Sequence, residues 1–206
     1  VGPLASTGSA GAPAAVAAAF NAANRGLRGS IAAQTTITAS WLHMYSDNIG
    51  AEVTFGIPPK LSLDLQRADG TTQPGAASVR TWTPAVIAKY FFNTPQDKIR
   101  PYIGLGASYV SFKDVSASDA DRIQALAGNG AYLAPTWTPV YNAGVVYNID
   151  EKWSVIGSVA YLPVSTTATF LGKTGPVPAA PANGVTTKSD VALSTMDYVI
   201  RIGYRF

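Results

Sequence analysis

The chain closes on Tyr198-Val199-Ile200-Arg201-Ile202-Gly203-Tyr204-Arg205-Phe206. Tyr198, Ile200, Ile202, Tyr204 and Phe206 share one parity, and Val199, Arg201, Gly203 and Arg205 share the other. Successive side chains of a strand point to opposite faces, so one face is wholly apolar and aromatic while the other carries two arginines and a glycine. A soluble sandwich also alternates, with its apolar face inward. Composition bears on the choice. Charged residues make up 13%, about half the share of a soluble domain, yet mean hydropathy is only +0.13. No apolar run approaches the ~20 residues of a helical span, and the nearest candidate, Ala10 to Phe20, is short and broken by Pro13. Apolar residues spread over every second position are the mark of a transmembrane β-barrel.

What separates the cases is a strand that runs to the last residue and ends on an aromatic. That ending resembles the recognition signal of bacterial outer-membrane barrels, with Tyr204 and Phe206 as the assembly signal and the barrel-assembly machinery as a partner. The expected location is the outer membrane of a Gram-negative cell, with outer-membrane lipid against the wall. No cysteine is present, which excludes a disulfide framework and thiolate sites. The net charge of +3 is small and its cations are scattered, so no nucleic-acid partner is expected. No signal-peptide pattern precedes Val1, so an export signal is expected to have been removed or to lie outside this sequence.

The period of two recurs along the chain. Its outward members are Ile31–Trp41, Ile49–Ile57, Trp82–Phe92 and Pro101–Tyr109, then Trp137–Tyr147 and Trp153–Tyr161, each taken at alternate positions. With the terminal segment this makes about seven strands, each near the ~9–11 residues that cross a bilayer at a tilt. Trp41, Trp82, Tyr90, Phe92, Tyr109, Trp137, Tyr147, Trp153, Tyr161, Tyr198 and Phe206 fall near strand ends, as rings of an interfacial girdle do. Connections alternate in length. Those at 45–48, 93–98 and 148–152 are short, and those near 59–80, 113–136 and 167–190 read as long loops. Short periplasmic turns and long extracellular loops are usual for outer-membrane barrels, which puts Phe206 on the periplasmic side. Residues 1–30 then form an extracellular loop before a descending strand. Bacterial barrels have even strand numbers and no open edge in lipid. The expectation is therefore one all-β domain over 1–206, an antiparallel barrel of eight strands when complete, with its first strand upstream of Val1.

Several segments resemble the OmpW family of small outer-membrane barrels. They are WLHMYSDNIG at Trp41–Gly50, AKYFFNTPQDKIRPYIGLG at Ala88–Gly106, the stretch Asn142–Trp153 ending DEKW, and GYRF at 203–206. Val1-Gly2-Pro3 is similar to the V-x-P that follows the family's first strand. The resemblance implies passage of small hydrophobic molecules, which enter a pocket in the upper lumen and leave sideways through the wall. The long loops align with nothing in the family.

Glu52, Lys89, Arg100, Arg201 and Arg205 lie on the inward parity, where charges are paired or hydrated rather than facing lipid. An ion-pair network plugging a narrow barrel is preferred to a conduction path. Toward the loop end the inward positions Val110, Phe112, Val140, Leu162 and Leu193 are apolar, either as packing under the loops or as a hydrophobic lumen pocket. Gly104-Leu105-Gly106 is read as small residues packing inside a barrel, since no helix pattern completes a nucleotide loop. His43 is the only histidine and has no companions for a metal site, so neither metal nor cofactor is expected. Pro139 and Pro163 on outward parity either weaken the wall or mark a strand end or bulge. Ala10–Ala23 suits a short helix or an alanine-rich loop, and 172–184 a mobile loop.

The leading function is passive transport of small hydrophobic solutes. The alternative is a structural or surface-interaction barrel, serving as adhesin or as phage or bacteriocin receptor through its loops. An enzyme is not expected, because the one histidine lies at the periplasmic end. A soluble barrel of lipocalin type would need Glu52, Lys89 and Arg201 outside.

Overall fold

The computed structural model describes residues 28–31, 34–66, 70, 72–117, 130–171 and 186–206. Thirteen strands appear in chain order. They are β1 (Arg28–Ile31), β2 (Thr38–Met44), β3 (Ile49–Gly56), β4 (Lys60–Gln66), β5 (Thr72–Trp82), β6 (Ala85–Phe91) and β7 (Ile99–Ala117). Then come β8 (Gly130–Leu133), β9 (Thr136–Asn148), β10 (Trp153–Leu162), β11 (Ser165–Leu171), β12 (Thr186–Ala192) and β13 (Thr195–Tyr204). Seven form a curled antiparallel wall in the order β2, β3, β6, β7, β9, β10, β13, each laddered to the next. β2 and β13 are its two edges, and among the described residues they share no ladder.

The wall is inside-out relative to a soluble protein. Its outer face exposes Val86 at 56%, Ile103 at 54%, Leu105 at 59%, Ile200 at 85% and Ile202 at 75%. Glu52 and Lys89 on the inner face are each 3% exposed, and Arg100 is 5% exposed. A lipocalin-type barrel would show the reverse arrangement. The alternation read from the sequence therefore has the phase required in lipid. Ring pairs line the outer face near both ends, with Tyr109–Trp137 centroids 5.2 Å apart at one end and Trp153–Tyr204 5.0 Å apart at the other. His43 lies in the same outer layer, between Trp41 and Tyr45 at 5.9 and 4.8 Å.

Above the wall the strands break and resume. The breaks fall at 57–59, 83–84, 134–135 and 163–164, each holding proline (Pro58 and Pro59, Pro84, Pro135, Pro163), and at 193–194. Proline has no N–H to give a ladder, so a strand stops there while its neighbour still needs an acceptor. The freed carbonyls supply it: Pro84 O accepts from Tyr109 N at 3.1 Å and Ser108 Oγ at 3.0 Å, and Pro163 O accepts from Thr138 Oγ1 at 3.0 Å. Only β7 passes this level unbroken among the described strands. Beyond it lie two separate sheets, β1-β4-β5 laddered to upper β7, and β8-β11-β12. Upper β7 and β8 run side by side with no ladder between them.

These upper strands differ from the long loops expected near 59–80, 113–136 and 167–190. The segment Lys60-Leu61-Ser62-Leu63-Asp64-Leu65-Gln66 alternates in sequence, but the prolines before it end the preceding strand and give the segment the look of a loop. The expected strand from Ile31 to Trp41 is likewise two, since 34–37 lie outside β1 and β2. There Thr36 Oγ1 and Ile37 O bond Ile57 across the break. Pro163 sits at such a break, whereas Pro139 stays within β9 opposite Ala107. The first-loop segments 1–27 and residues 172–184 lie outside the described residues.

At the opposite end, three short turns are tied together. Asn48 Nδ2 donates to Phe91 O at 2.7 Å and Asn93 O at 3.0 Å. Asn93 Nδ2 donates to Ile99 O at 3.1 Å, and Asn148 Nδ2 to Asp97 O at 2.7 Å. Asn93 adopts φ 64°, a left-handed conformation that asparagine tolerates better than most residues.

Candidate functional site: a charged clasp beneath an apolar cluster

The lumen is built from the inward parity of the wall. Glu52 on β3 faces Lys89 on β6, with Lys89 Nζ 2.7 Å from Glu52 Oε2. Arg201 on β13 places Nη1 2.8 Å from Glu52 Oε1, and the same nitrogen donates to Ser40 Oγ on β2 at 2.7 Å. Thr54 Oγ1 donates a further hydrogen bond to the carboxylate at 2.9 Å. One carboxylate thus holds two cations, and one of these spans both edges of the curled sheet. Lys89 Nζ also lies 4.3 Å above the Tyr102 ring, whose quadrupole stabilises a desolvated ammonium.

Arg100 joins a different group. It donates to the carbonyl of Asp47 in the first short turn and stacks over Phe91, with its guanidinium carbon 5.1 Å from the ring centroid. The structure therefore brings Glu52, Lys89 and Arg201 into one clasp and sets Arg100 below it. Arg205 lies just past the end of β13 and is exposed.

Glycines let backbone and rings approach closely in this wall. A Cβ at Gly106 would lie 2.1 Å from Val86 O, and one at Gly144 would lie 2.7 Å from the Tyr102 ring. Gly104-Leu105-Gly106 is thus part of a β-ladder, not a phosphate loop.

Toward the split end, Val110, Val140 and Leu162 pack together with Ala85, Ile87 and Val164, and Phe112, Ala160 and Leu193 pack against them. All five residues singled out from the sequence (Val110, Phe112, Val140, Leu162 and Leu193) meet here. Val110 at 1% and Val140 at 2% exposure are both buried within this cluster, so the lumen is filled at this level. Ile87 and Ala85 were legible from their parity with Lys89. Val164 was not, because a proline at 163 reads as a strand end although the alternation continues through it. Ser40, Thr54 and Tyr102 also lie on inward parity, but small hydroxyls and a lone tyrosine give no signal of a clasp until the register is known.

Tyr204 pairs with Trp153 at the turn end, and Phe206 is 96% exposed on the outer surface. Among the described residues no cluster of His, Asp or Glu could hold a metal ion.

The OmpW family profile matches residues 7–206. The chain belongs to the OmpW family. Outer membrane protein W of Escherichia coli K12 is 29% identical over 178 residues, covering 86% of this chain and 76% of that protein. Outer membrane protein AlkL of Ectopseudomonas oleovorans is 25% identical over 149 residues, covering 72% of this chain and 60% of that one. In shape the chain is similar to the crystal structure of OprG from Pseudomonas aeruginosa, with a TM-score of 0.73 at 24% identity, over 88% of this chain and 82% of that one. Membership makes this an outer-membrane β-barrel protein and not an enzyme. A small-molecule channel role is consistent with the OmpW family.

Proposed function

We propose that the chain is a passive outer-membrane channel for small hydrophobic solutes, which enter the apolar upper lumen and leave through the wall. The observation that carries this reading is the stacking of the lumen, with an apolar cluster above a clasp of buried charge. An apolar solute that settles above the filled level, against the partly buried Phe112 and Leu193, gains roughly 25 cal/mol per Å² of apolar surface removed from water. It meets strong resistance at Glu52, Lys89 and Arg201, whose hydrogen bonds it cannot replace. Straight passage is disfavoured, and the unladdered boundary between upper β7 and β8, beside Val110 and Phe112, is the cheapest way out.

Purified protein in lipid vesicles provides the test, with uptake of a hydrophobic fluorescent probe as the readout. Phe112→Asp and Leu193→Asp should each slow uptake several-fold while leaving heat-modifiable barrel and small-ion conductance unchanged. Cross-linking Ser111→Cys to Tyr132→Cys with a flexible bis-methanethiosulfonate reagent, which forms a disulfide to each thiol and expels methanesulfinate, should slow it too, and reduction should restore it. Normal uptake by all three assembled variants would favour the surface-interaction reading.

A further inference from the structure

On the outer face, just above the aromatic belt, the register sets three cations in one row. Lys60 on β4 pairs with Arg80 on β5, and Arg80 pairs with Lys113 on β7. Cross-strand partners share a face, and this face is the outer one: the intervening Thr81 is buried beside Phe112, while Trp82 below Arg80 is 41% exposed. Like charges directly opposite each other in a sheet repel. Two such pairs in succession are therefore an arrangement that a bare wall would not favour.

A single carboxylate answers them. The ladder slips between Ser78 and Arg80, and the bulge brings Asp114 onto the same face, where Oδ2 lies 3.3 Å from Arg80 Nε. Asp114 takes φ 51° to do so, a left-handed conformation unfavourable for most side chains. Three cations thus stand against one anion. Beside them Pro58, Arg80, Trp82, Lys113 and Asp114 line a cavity of about 310 Å³. Pro58 and Trp82 are its apolar lining, and the exposed Phe55 and Ile57 precede Pro58 in the chain.

We infer that this row is a binding site for the phosphorylated headgroup of an outer-leaflet lipid, with Lys60, Arg80 and Lys113 holding phosphate. Height and chemistry both favour a lipid source. The cations lie at the boundary where the aromatic belt ends, and the wall beneath them is the surface along which acyl chains would lie. A soluble phosphate would gain nothing from that wall. The site is separate from the lumen, so it stands whether or not the lumen carries solutes. It rests on the outer-membrane location and on the turn end facing the periplasm.

Native mass spectrometry of the detergent-purified full chain tests it, with bis-phosphorylated lipid A as probe and phosphatidylethanolamine as the neutral comparison. The wild type should retain lipid A in preference to phosphatidylethanolamine. Lys60→Gln/Arg80→Gln/Lys113→Gln should weaken lipid A binding about a hundredfold and leave phosphatidylethanolamine unchanged. Lys113→Glu, a single exposed change, should give a partial loss and guards against misfolding of the triple variant. Lipid A lacking both phosphates should bind the wild type no better than the triple variant binds intact lipid A. Unchanged lipid A retention by the variants, or displacement of lipid A by millimolar inorganic phosphate, would overturn the proposal. Unchanged solute uptake by these variants is expected, so the two readings fail independently.

Discussion

Glu52→Gln removes the charge of the clasp while keeping its volume. In the wild type Glu52 and Lys89 have side chains 3% and 2% exposed, so their charges are desolvated, while Arg201 at 13% also keeps a bond to Ser40. Stripping the partner from a buried ion typically costs about 3–5 kcal/mol. Here the Tyr102 ring retains part of the stabilisation of Lys89, and Ser40 part of that of Arg201. The cost should therefore fall near the lower end, at about 3 kcal/mol. Urea unfolding in lipid vesicles, monitored by tryptophan emission, reads this directly. With slopes of ~1–3 kcal/mol per molar urea, the midpoint should fall by about 1–3 M. Glu52→Gln/Lys89→Met should recover part of the loss, because the most deeply buried cation is gone while Arg201 keeps its bond to Ser40. A midpoint shift below about 0.3 M, or a double variant as unstable as the single one, would refute the reasoning.

The same geometry sets four further outcomes. Cysteines at Ile103 and Leu105, and at Val86 and Ala88, should react with a lipid-soluble maleimide, whereas one at Lys89 should not. Phe206→Ala should reduce heat-modifiable barrel in the outer membrane, and unchanged assembly would count against an assembly role. Asp150 accepts from the backbone N–H of Trp153 and Lys152, and these bonds hold its pKa below 3.8. Asp150→Ala should therefore destabilise the barrel at neutral pH, the difference shrinking as pH falls below 3.8 and through the folded-state value. Asp97, whose pKa is lowered by the side-chain and then the backbone hydrogen bond of Thr94, should show the same sign in Asp97→Ala scanned by urea unfolding against pH.

Much of the wall was legible because lipid imposes its demand on every second residue. Trp153–Tyr161 and Tyr198–Phe206 carry both phase and period, and their ladder pairs Val155 with Ile202 and Gly157 with Ile200 as that phase requires. Which inward residues meet was not legible. Arg201 and Glu52 lie far apart in sequence, and their contact depends on the shear of the wall, which alternation leaves open. The upper strands were obscured for another reason. Proline breaks at Pro58-Pro59 and Pro84 end a ladder locally without ending the strand direction, so a reading that treats proline as loop stops too early. The row of Lys60, Arg80 and Lys113 belongs to these obscured segments.

The asparagine ties between the short turns have a mechanical consequence. The side-chain amides of Asn48 and Asn148 each cross to the turn at 93–98, that of Asn93 braces this middle turn itself, and the Arg100 guanidinium ties β7 to the first turn. Bending one turn must then break bonds in its neighbours, which makes that rim stiff as a unit. The other rim has two sheets that share no ladder among the described strands. Compliance is therefore concentrated at one end, like a tube clamped at its base. Amide exchange should be slowest around Phe91, Ile99 and Asn148 and fastest in β8 and β12, and any breathing of the wall should start from the loop side and die out before it reaches the turns.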